Sequence, residues 1–519
     1  MALKINFNAE ATVTHTALLR NERAMNRSLL RISTGNRILS AADDAAGLFI
    51  SDQLSVVAAA LDQGNRNIQT GISALQIAES SVGQIVEKLQ TIYTKAQSAA
   101  NDINDPNARS ALQSDITNLV DAIQKIATDT EYNGIKLLDG TFASKVIHYG
   151  ARADQTITVS ISNVKASNIG AYMVQGSGQV TSGTATAYGS LITGNWQYTP
   201  SDTVTVAGVS LTGSSYLSYT GAVDAKAIAD AINNNSTLQS AGISARATNT
   251  STADTEFSNI QAGTDQSATI RFYVGSTTAS ASAISITVSA GETLTLDQLV
   301  SQINTQASTK GLNITASSSG NKLVLTTTGE TIGVEVISTA TGSATTGPSV
   351  NLATLLKGAS GTVAYSGTAA GSSTGSAVRV GNLSIAGTDS YNYDFNGIST
   401  TSAGLGVAVS GNASFYNLNS IDVTDNTGAE LAIDIANTAI RKVDKVRTQI
   451  GSVITNLQAI FDSQKSSYDN TKEAENVIRN TDFAAEMSNF TTQQIRMQAG
   501  MAMLAQANAL PQLVLQLLR

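Results

Sequence analysis

Phe483-Ala-Ala-Glu-Met-Ser-Asn-Phe-Thr-Thr-Gln-Gln-Ile-Arg-Met-Gln-Ala-Gly-Met-Ala-Met-Leu504 carries residues repeating every seven positions: Phe483, Phe490, Met497 and Leu504 form one row. Met487, Gln494, Met501 and Asn508 form its partner. A stripe of this period is the seam of a helix that faces another helix. The opposite end of the chain has a matching feature, with Leu18, Met25 and Ile32 seven apart, Leu29 between them, and Leu19 and Leu30 widening the stripe. Neither stripe can be buried alone, so each terminus is expected to face the other and the termini of further copies. Leu18, Met25, Leu29, Ile32, Phe483, Met487, Phe490, Met497, Met501 and Leu504 are the expected assembly surface.

Working inward, residues 1–44 and 475–519 read as terminal helices of one inner domain. Residues 45–175 and 411–474 read as the two parts of a helical bundle. A helix is expected over about residues 45–100, ending before Asn104-Asp-Pro106 because proline cannot continue it. A second, about 107–129, carries the stripe Ala111, Ile116, Leu119, Ile123 and Ile126. Tyr132-Asn-Gly134 signals a turn, and Gln155–Ile161 alternates as a hairpin strand does. The returning helix, about 428–474, places Ile435, Ile440, Val443, Val446, Ile450, Ile454, Leu457 and Phe461 at spacings of three to five.

Between residues 176 and 410 only nineteen residues are charged, and Gly, Ser and Thr dominate. Two related units lie inside. One runs through Thr203–Val209, the helix-like Ala225–Asn233 and Gly242–Ala247; the other through Ile284–Val288, Leu296–Asn304, Gly311–Ala316 and Lys322–Thr326. Each reads strand, strand, short helix, strand, strand. The alternating strands favour folded, surface-exposed β-rich domains over a disordered linker. The fold class expected is therefore α+β and multidomain: discontinuous terminal coiled-coil and bundle domains with β-rich outer domains inserted.

The formal net charge of −8 and a charged fraction of 13% argue against binding nucleic acid by phosphate neutralisation. The absence of cysteine rules out disulfides and thiolate metal sites. Met1–Glu10 lacks the features of a cleaved secretory signal, and no apolar run approaches a membrane span, the nearest being Leu510–Leu518. No membrane insertion is expected. Catalysis has little to work with, because His15 and His148 are the only histidines and neither sits in a catalytic or metal-binding pattern. No catalytic residue, cofactor or metal is expected. Asp43-Asp44 reads as acids at a helix start rather than a metal site. Arg20, Arg23, Arg27 and Arg31 form a basic edge, expected to pair between subunits with carboxylates such as Asp482 and Glu486.

Arg31-Ile-Ser-Thr-Gly-Asn-Arg-Ile-Leu-Ser-Ala-Ala-Asp-Asp-Ala-Ala-Gly-Leu48 resembles the N-terminal motif of bacterial flagellins. Asn67–Glu79, Glu131–Leu138 and Ala474–Glu486 match the same family in the same order, so the resemblance covers about residues 1–175 and 411–519. In the middle, Ile232-Asn233 and Ile303-Asn304 are similar to the "IN" repeats of flagellins and hook-associated proteins. The resemblance implies a subunit that polymerises into the flagellar filament for motility, exported uncleaved through the flagellar type III apparatus to an extracellular site. It implies as partners other copies, the cap and hook-filament junction proteins, and a secretion chaperone on the C-terminal helix. The alternatives are a junction protein, which shares the terminal motifs but needs no large outer insertion, and a filament subunit acting mainly as adhesin. In flagellins sensed by the vertebrate Toll-like receptor, an Arg is followed four residues later by a Leu on the first bundle helix. Alignment through Gln97 puts Gln90 and Thr94 there, which implies weak recognition.

Overall fold

The computed structural model describes residues 8–101, 103–195, 197–199, 202–211, 221–398 and 404–517. Met1–Phe7, on which the signal-peptide reading partly rests, lie outside the described residues, as do the side chains of Leu510–Leu518.

Capping chemistry sets the helix limits. Asn8 accepts from Ala11 N–H to start α1 (Ala9–Thr34), and Gly35, at φ 73°, ends it in the left-handed conformation that glycine adopts without strain. Asp44 accepts from Gly47 N–H at the start of α2 (Ala45–Ala99). Asp105 does the same for α3 (Pro106–Asp129), whose first-turn proline gives up a donor that has no partner there anyway. Five helices follow in order: α4 (Tyr188–Asn195), α5 (Ala225–Asn233), α6 (Ser236–Ser240), α7 (Leu296–Lys310) and α8 (Asn426–Arg479). α9 (Phe483–Leu517) completes the set.

α2 and α8 run antiparallel as the spine of the bundle. Ile68, Leu75, Val82, Leu89 and Ala96 repeat every seven residues on α2, Ala436, Val443, Ile450 and Leu457 do so on α8, and all are buried in one core. α2 is long and apolar enough by length and composition to cross a membrane, with a mean hydropathy of 1.3 over its most apolar stretch. From Ile68 onward its apolar rows lie in this core, whereas its first turns leave Phe49, Ile50, Val56 and Val57 exposed. α3 contributes Ile116, Val120, Ile123 and Ala127. The expected stripe is corrected at Ala111, which is exposed; Leu112 packs instead, because the residue facing the core at that turn is set by where α3 lies on α2. The turn at Asn133-Gly134 has φ of 51° and 75° and closes the two-residue pairing of Glu131–Tyr132 with Ile135–Lys136. Lys145–His148 pairs with Thr156–Val159 as a second hairpin.

The outer region is built by nested insertion. One core gathers residues from 174 to 247 with residues 378 to 413, joined by Tyr273 and Ala283; another gathers residues from 253 to 377. The second module is thus inserted into the first, and the first into the bundle. A six-stranded antiparallel sheet crosses all three levels, in the order Ile314–Ser319, Lys322–Thr327, Ile243–Thr252, Asn382–Gly387, Gly170–Gly176, Ser414–Asn417. Met173, on the fifth strand, is in the bundle core, while Leu325, on the second, is in the core of the far module.

Several boundaries differ from expectation. α1 stops at Thr34 rather than near 44, because Gly35 ends it and residues 35–43 turn back. α8 continues to Arg479, so a boundary at 474/475 falls inside a helix; the break is at Asn480-Thr481-Asp482. Thr203–Val209 is not one strand but a tight hairpin, Thr205–Val206 against Val209–Ser210, since Ala207 and Gly208 take φ of 51° and 76°. The first repeat has one long return strand, Ile243–Thr252, in place of two, because it pairs with Asn382–Gly387 and Lys322–Thr327 from elsewhere in the chain.

Candidate assembly interface

The motif Arg31–Leu48 becomes the place where both ends of the chain meet. Arg37 N–H donates to Arg479 O (2.7 Å), Thr481 N–H to Gly35 O (2.9 Å), and Asn36 bridges Asn480. This crossing launches α1 and α9 together as an antiparallel pair. Asn8 Nδ2 donates to Ala507 O (2.9 Å), Leu18 Cδ1 would lie 3.3 Å from a Cβ on Gly500, and Arg31 approaches Glu486 (3.8 Å).

These contacts fix the register, and the register decides which residues form the seam. On α1 the buried and half-buried positions include Ala11, Thr14, Leu18, Asn21, Met25, Ser28 and Ile32, alternating three and four apart, with Ala24 and Arg31 flanking them. On α9 they include Glu486, Phe490, Gln493, Met497, Gly500, Leu504 and Ala507, with Ala509 beyond. Large residues of one helix stand level with small or polar residues of the other: Leu18 with Gly500, Phe490 with Ser28, Leu504 with Thr14. Large-on-small alternation lets two helices approach closely without a wide apolar seam.

Leu18, Met25, Ile32, Phe490, Met497 and Leu504 therefore lie on the intramolecular seam. Leu29 (51% exposed), Phe483 (54%), Met487 (48%) and Met501 (51%) do not. The expected partner row on α9 is corrected to Glu486, Gln493, Gly500 and Ala507. Reading by hydrophobicity selected the larger residues and missed the small ones, whose signal is their level with a large residue across the pair. Val13, Leu19, Leu30, Ile495 and Met503 share the outward exposure of the displaced four, so the pair carries apolar surface that this chain alone leaves in water.

The basic edge divides. Arg31 pairs with Glu486 within the chain, and Arg27 with Asp43 (3.7 Å). Arg20 and Arg23 are exposed. Asp482 is not an ion-pair partner among the described bridges; it accepts from Ala484 and Ala485 N–H at the start of α9. Asp43 accepts from Leu39 and Ser40 N–H and Asp44 caps α2, so both acids have structural work, and no group of metal-ligating residues occurs among the described residues. His15 and His148 are both exposed. Gln90 and Thr94 lie exposed on α2, one turn apart.

Where the first outer module meets the bundle, Arg246 reaches Asp434 (3.0 Å) and Glu430 (3.2 Å) on α8, and Ser384 Oγ donates to Asp434 (3.1 Å). Burial works against the guanidinium's charge, but the two carboxylates outweigh it and raise its pKa. A cleft of about 290 Å³ beside this contact is lined by Asn382, Asp425 and Thr427 among others.

The chain matches the bacterial flagellin N-terminal helical region over residues 5–143 and the bacterial flagellin C-terminal helical region over residues 433–518. It is 53% identical to a flagellin of Aquifex pyrophilus and 52% identical to a flagellin of Aquifex aeolicus, in each case over the whole of both chains. It is 33% identical, again over both whole chains, to a B-type flagellin of Pseudomonas aeruginosa.

Proposed function

The chain belongs to the bacterial flagellin family, and on that premise we propose how this filament subunit meets its neighbours. It is a structural subunit of the flagellar filament, an extracellular appendage. The observation that carries the assembly reading is the leftover apolar surface of the α1–α9 pair. Leu29, Phe483, Met487 and Met501 are outside the seam within the chain, so they contact other copies, while Leu18, Met25, Ile32, Phe490, Met497 and Leu504 hold the pair together. A contact between unlike patches does not close, and it propagates as a helical polymer. Arg20 and Arg23 pair across the same boundary with carboxylates of neighbouring copies.

The same surface is exposed before assembly, which supports a secretion chaperone on α9 and docking to cap and hook-filament junction proteins. Cooling of chain dissociated by mild heating is expected to give filaments in electron micrographs. Met487→Asp and Met501→Asp should raise the concentration needed for assembly about tenfold or more, since each places a charge in an apolar contact. Assembly of both variants at the wild-type concentration would remove these residues from the interface. Gln90 and Thr94 replace an Arg and a Leu of the receptor-binding pattern. Two anchors of about 2 kcal/mol each weaken binding on the order of a thousandfold if additive. Endotoxin-free monomer is therefore expected to activate reporter cells poorly, and Gln90→Arg with Thr94→Leu to restore activity; wild-type potency equal to that of a strongly recognised flagellin counts against it.

A further inference from the structure

In a chain of net charge −8, one stretch of α8 is strongly basic: Arg441, Lys442, Lys445 and Arg447 stand together with Asp444 as the single acid among them. Three of these cations are engaged. Arg447 approaches Glu79 (3.9 Å), Lys445 pairs with Asp389 (3.3 Å), and Lys442 donates to Asn168 O (3.1 Å). Arg441 is exposed and has neither an ion-pair nor a hydrogen-bond partner among the described residues. It lies one turn from Lys445, and the two form the α8 wall of a cleft of about 440 Å³.

The facing wall belongs to the first outer module and comes from residues 239–243 and 388–391. These segments touch closely: a Cβ on Gly242, at φ 73°, would stand 2.5 Å from Thr388 Oγ1. The apolar part of this wall continues along the six-stranded sheet. Ile243 lies opposite Gly387, Gly387 opposite Tyr172, and Tyr172 opposite Phe415, so the four form one row on one face of the sheet. Gly387 has no side chain, and the Tyr391 ring takes that place, its Cε1 2.8 Å from where a Cβ would be. The row therefore runs from Ile243 and Tyr391 in the cleft to Phe415, 37% exposed on the edge strand. Lys442 ties the row to the basic helix, with its ammonium 5.5 Å from the Phe415 ring centre and 6.0 Å from that of Tyr172.

A free guanidinium, an ammonium one turn away, an aromatic row beside them and the polar side chains of Gln239, Ser240 and Ser390 at the rim match one kind of ligand. A carboxylate takes two parallel hydrogen bonds from a guanidinium. The C–H face of a sugar ring covers an aromatic side chain, and its hydroxyls need a few placed polar groups. We propose that this cleft binds an acidic oligosaccharide, with a carboxylate on Arg441 and the sugar rings laid along the row that ends at Phe415. The site lies within one chain and does not depend on how copies meet in a filament.

The test uses the dilute full-length chain and saturation-transfer NMR with three probes: a glucuronate trisaccharide, the corresponding glucose trisaccharide and inorganic phosphate. The acidic trisaccharide is expected to bind with a dissociation constant on the order of 1 mM or below, and the neutral one at least about tenfold more weakly. Arg441→Gln should weaken the acidic trisaccharide about tenfold. Arg441 is exposed and unpaired, so this change leaves the fold alone. Phe415→Ala should weaken it severalfold. Asp389→Asn should strengthen it, because Lys445 is released and a negative charge leaves the wall; a purely structural role for these residues predicts no gain. Absence of binding at about 10 mM, equal binding of the neutral trisaccharide, or unchanged affinity in Arg441→Gln overturns the proposal. So does phosphate binding as tightly as the acidic trisaccharide, since the cleft is then a simple anion site.

Discussion

Asn233 and Asn304 show what a two-letter repeat signature is for. Asn233 is the last residue of α5 and Asn304 lies inside α7; the isoleucine before each is fully buried, and each amide grips the backbone twelve residues on at two points. Asn233 Nδ2 donates to Ala245 O (2.7 Å) while its Oδ1 accepts from Ala245 N–H (2.8 Å); Asn304 does the same to Ala316, at 2.8 Å for both bonds. The isoleucine anchors the helix and the asparagine sets the register of the strand that follows. Asn304→Ala leaves a backbone donor and acceptor of buried Ala316 without partners, so we expect a loss of about 2–4 kcal/mol from the second outer module, read by thermal unfolding of the full chain. A change below about 0.5 kcal/mol would show that the clamp is decorative. Asp224 is a different case. Its carboxylate accepts from Lys226 and Thr331 N–H (3.2 Å each), but burial dominates and pushes its pKa up to about 7. The folded chain then binds the proton more tightly than the unfolded chain, whose value is near 3.8. Stability associated with this group is therefore fully present below pH about 4 and is lost as pH rises to about 7. Asp224→Asn keeps an acceptor and removes the titration. Its melting temperature relative to wild type should climb between pH 4 and 7 and level off above; a flat difference refutes the assignment.

At the scale of elements, the α1–α9 pair is held by alternation of size rather than by a broad apolar face. Gly500 is its most sensitive position, because a Cβ there would stand 3.3 Å from Leu18 Cδ1. Alanine demands only a small shift of a flexible leucine, whereas a branched side chain does not fit. Gly500→Val should block filament formation at concentrations where Gly500→Ala still assembles, scored by sedimentation and electron microscopy. Leu504→Asp tests the opposite side of the alternation by setting a charge level with Thr14. At several kcal/mol per subunit for an unpaired buried charge, normal filaments are not expected. Neither substitution touches the bundle, whose core is made by α2, α3 and α8, so helical content measured by circular dichroism should stay close to wild type in both.

For the whole molecule, nested insertion explains how β-rich modules can be carried by a helical rod without flexible tethers. Gly170–Gly176 pairs with Ser414–Asn417, Met173 opposite Ser414, so the chain leaves and re-enters the bundle at one place in one sheet. Arg246 adds a charged tie to α8. Replacing residues 177–412 by a short turn should preserve that strand pair as a hairpin, and with it the bundle core apart from the loss of Ala386. We expect the shortened chain to fold and to form thinner filaments in electron micrographs. A chain that is helical in neither monomer nor filament would mean that the outer modules are needed to fold the bundle. Glu335 is a reason to remove the modules whole: its buried carboxylate takes Arg271 (3.0 Å) and Tyr273 Oη–H (2.9 Å) from one strand and Tyr188 N–H (3.0 Å) from the start of α4. A cut that separates them strands a charge in the core.

The helices were legible from sequence because their causes are local. Asp44 and Asp105-Pro106 start helices where the sequence placed them, and Ile435, Val443, Val446, Ile450, Ile454 and Leu457 of α8 need only a facing helix to be buried, whereas Gly35 stops α1 well short of the expected limit near residue 44. The Ile-Asn pairs and the Asn133-Gly134 turn are similarly self-contained. What the tertiary structure decided is whatever depends on a partner remote in the chain. Hydrophobicity alone placed Met487, Met501 and Leu29 in the seam; the register set by Asn8–Ala507 and Arg31–Glu486 turned them out and brought Ser28, Gln493 and Gly500 in. Periodicity could not say that Ile243–Thr252 would pair with a strand more than 130 residues away, or that one module would interrupt another. A local pattern records which residues avoid water, whereas the element that shields each of them is chosen only when distant segments compete for the same surface.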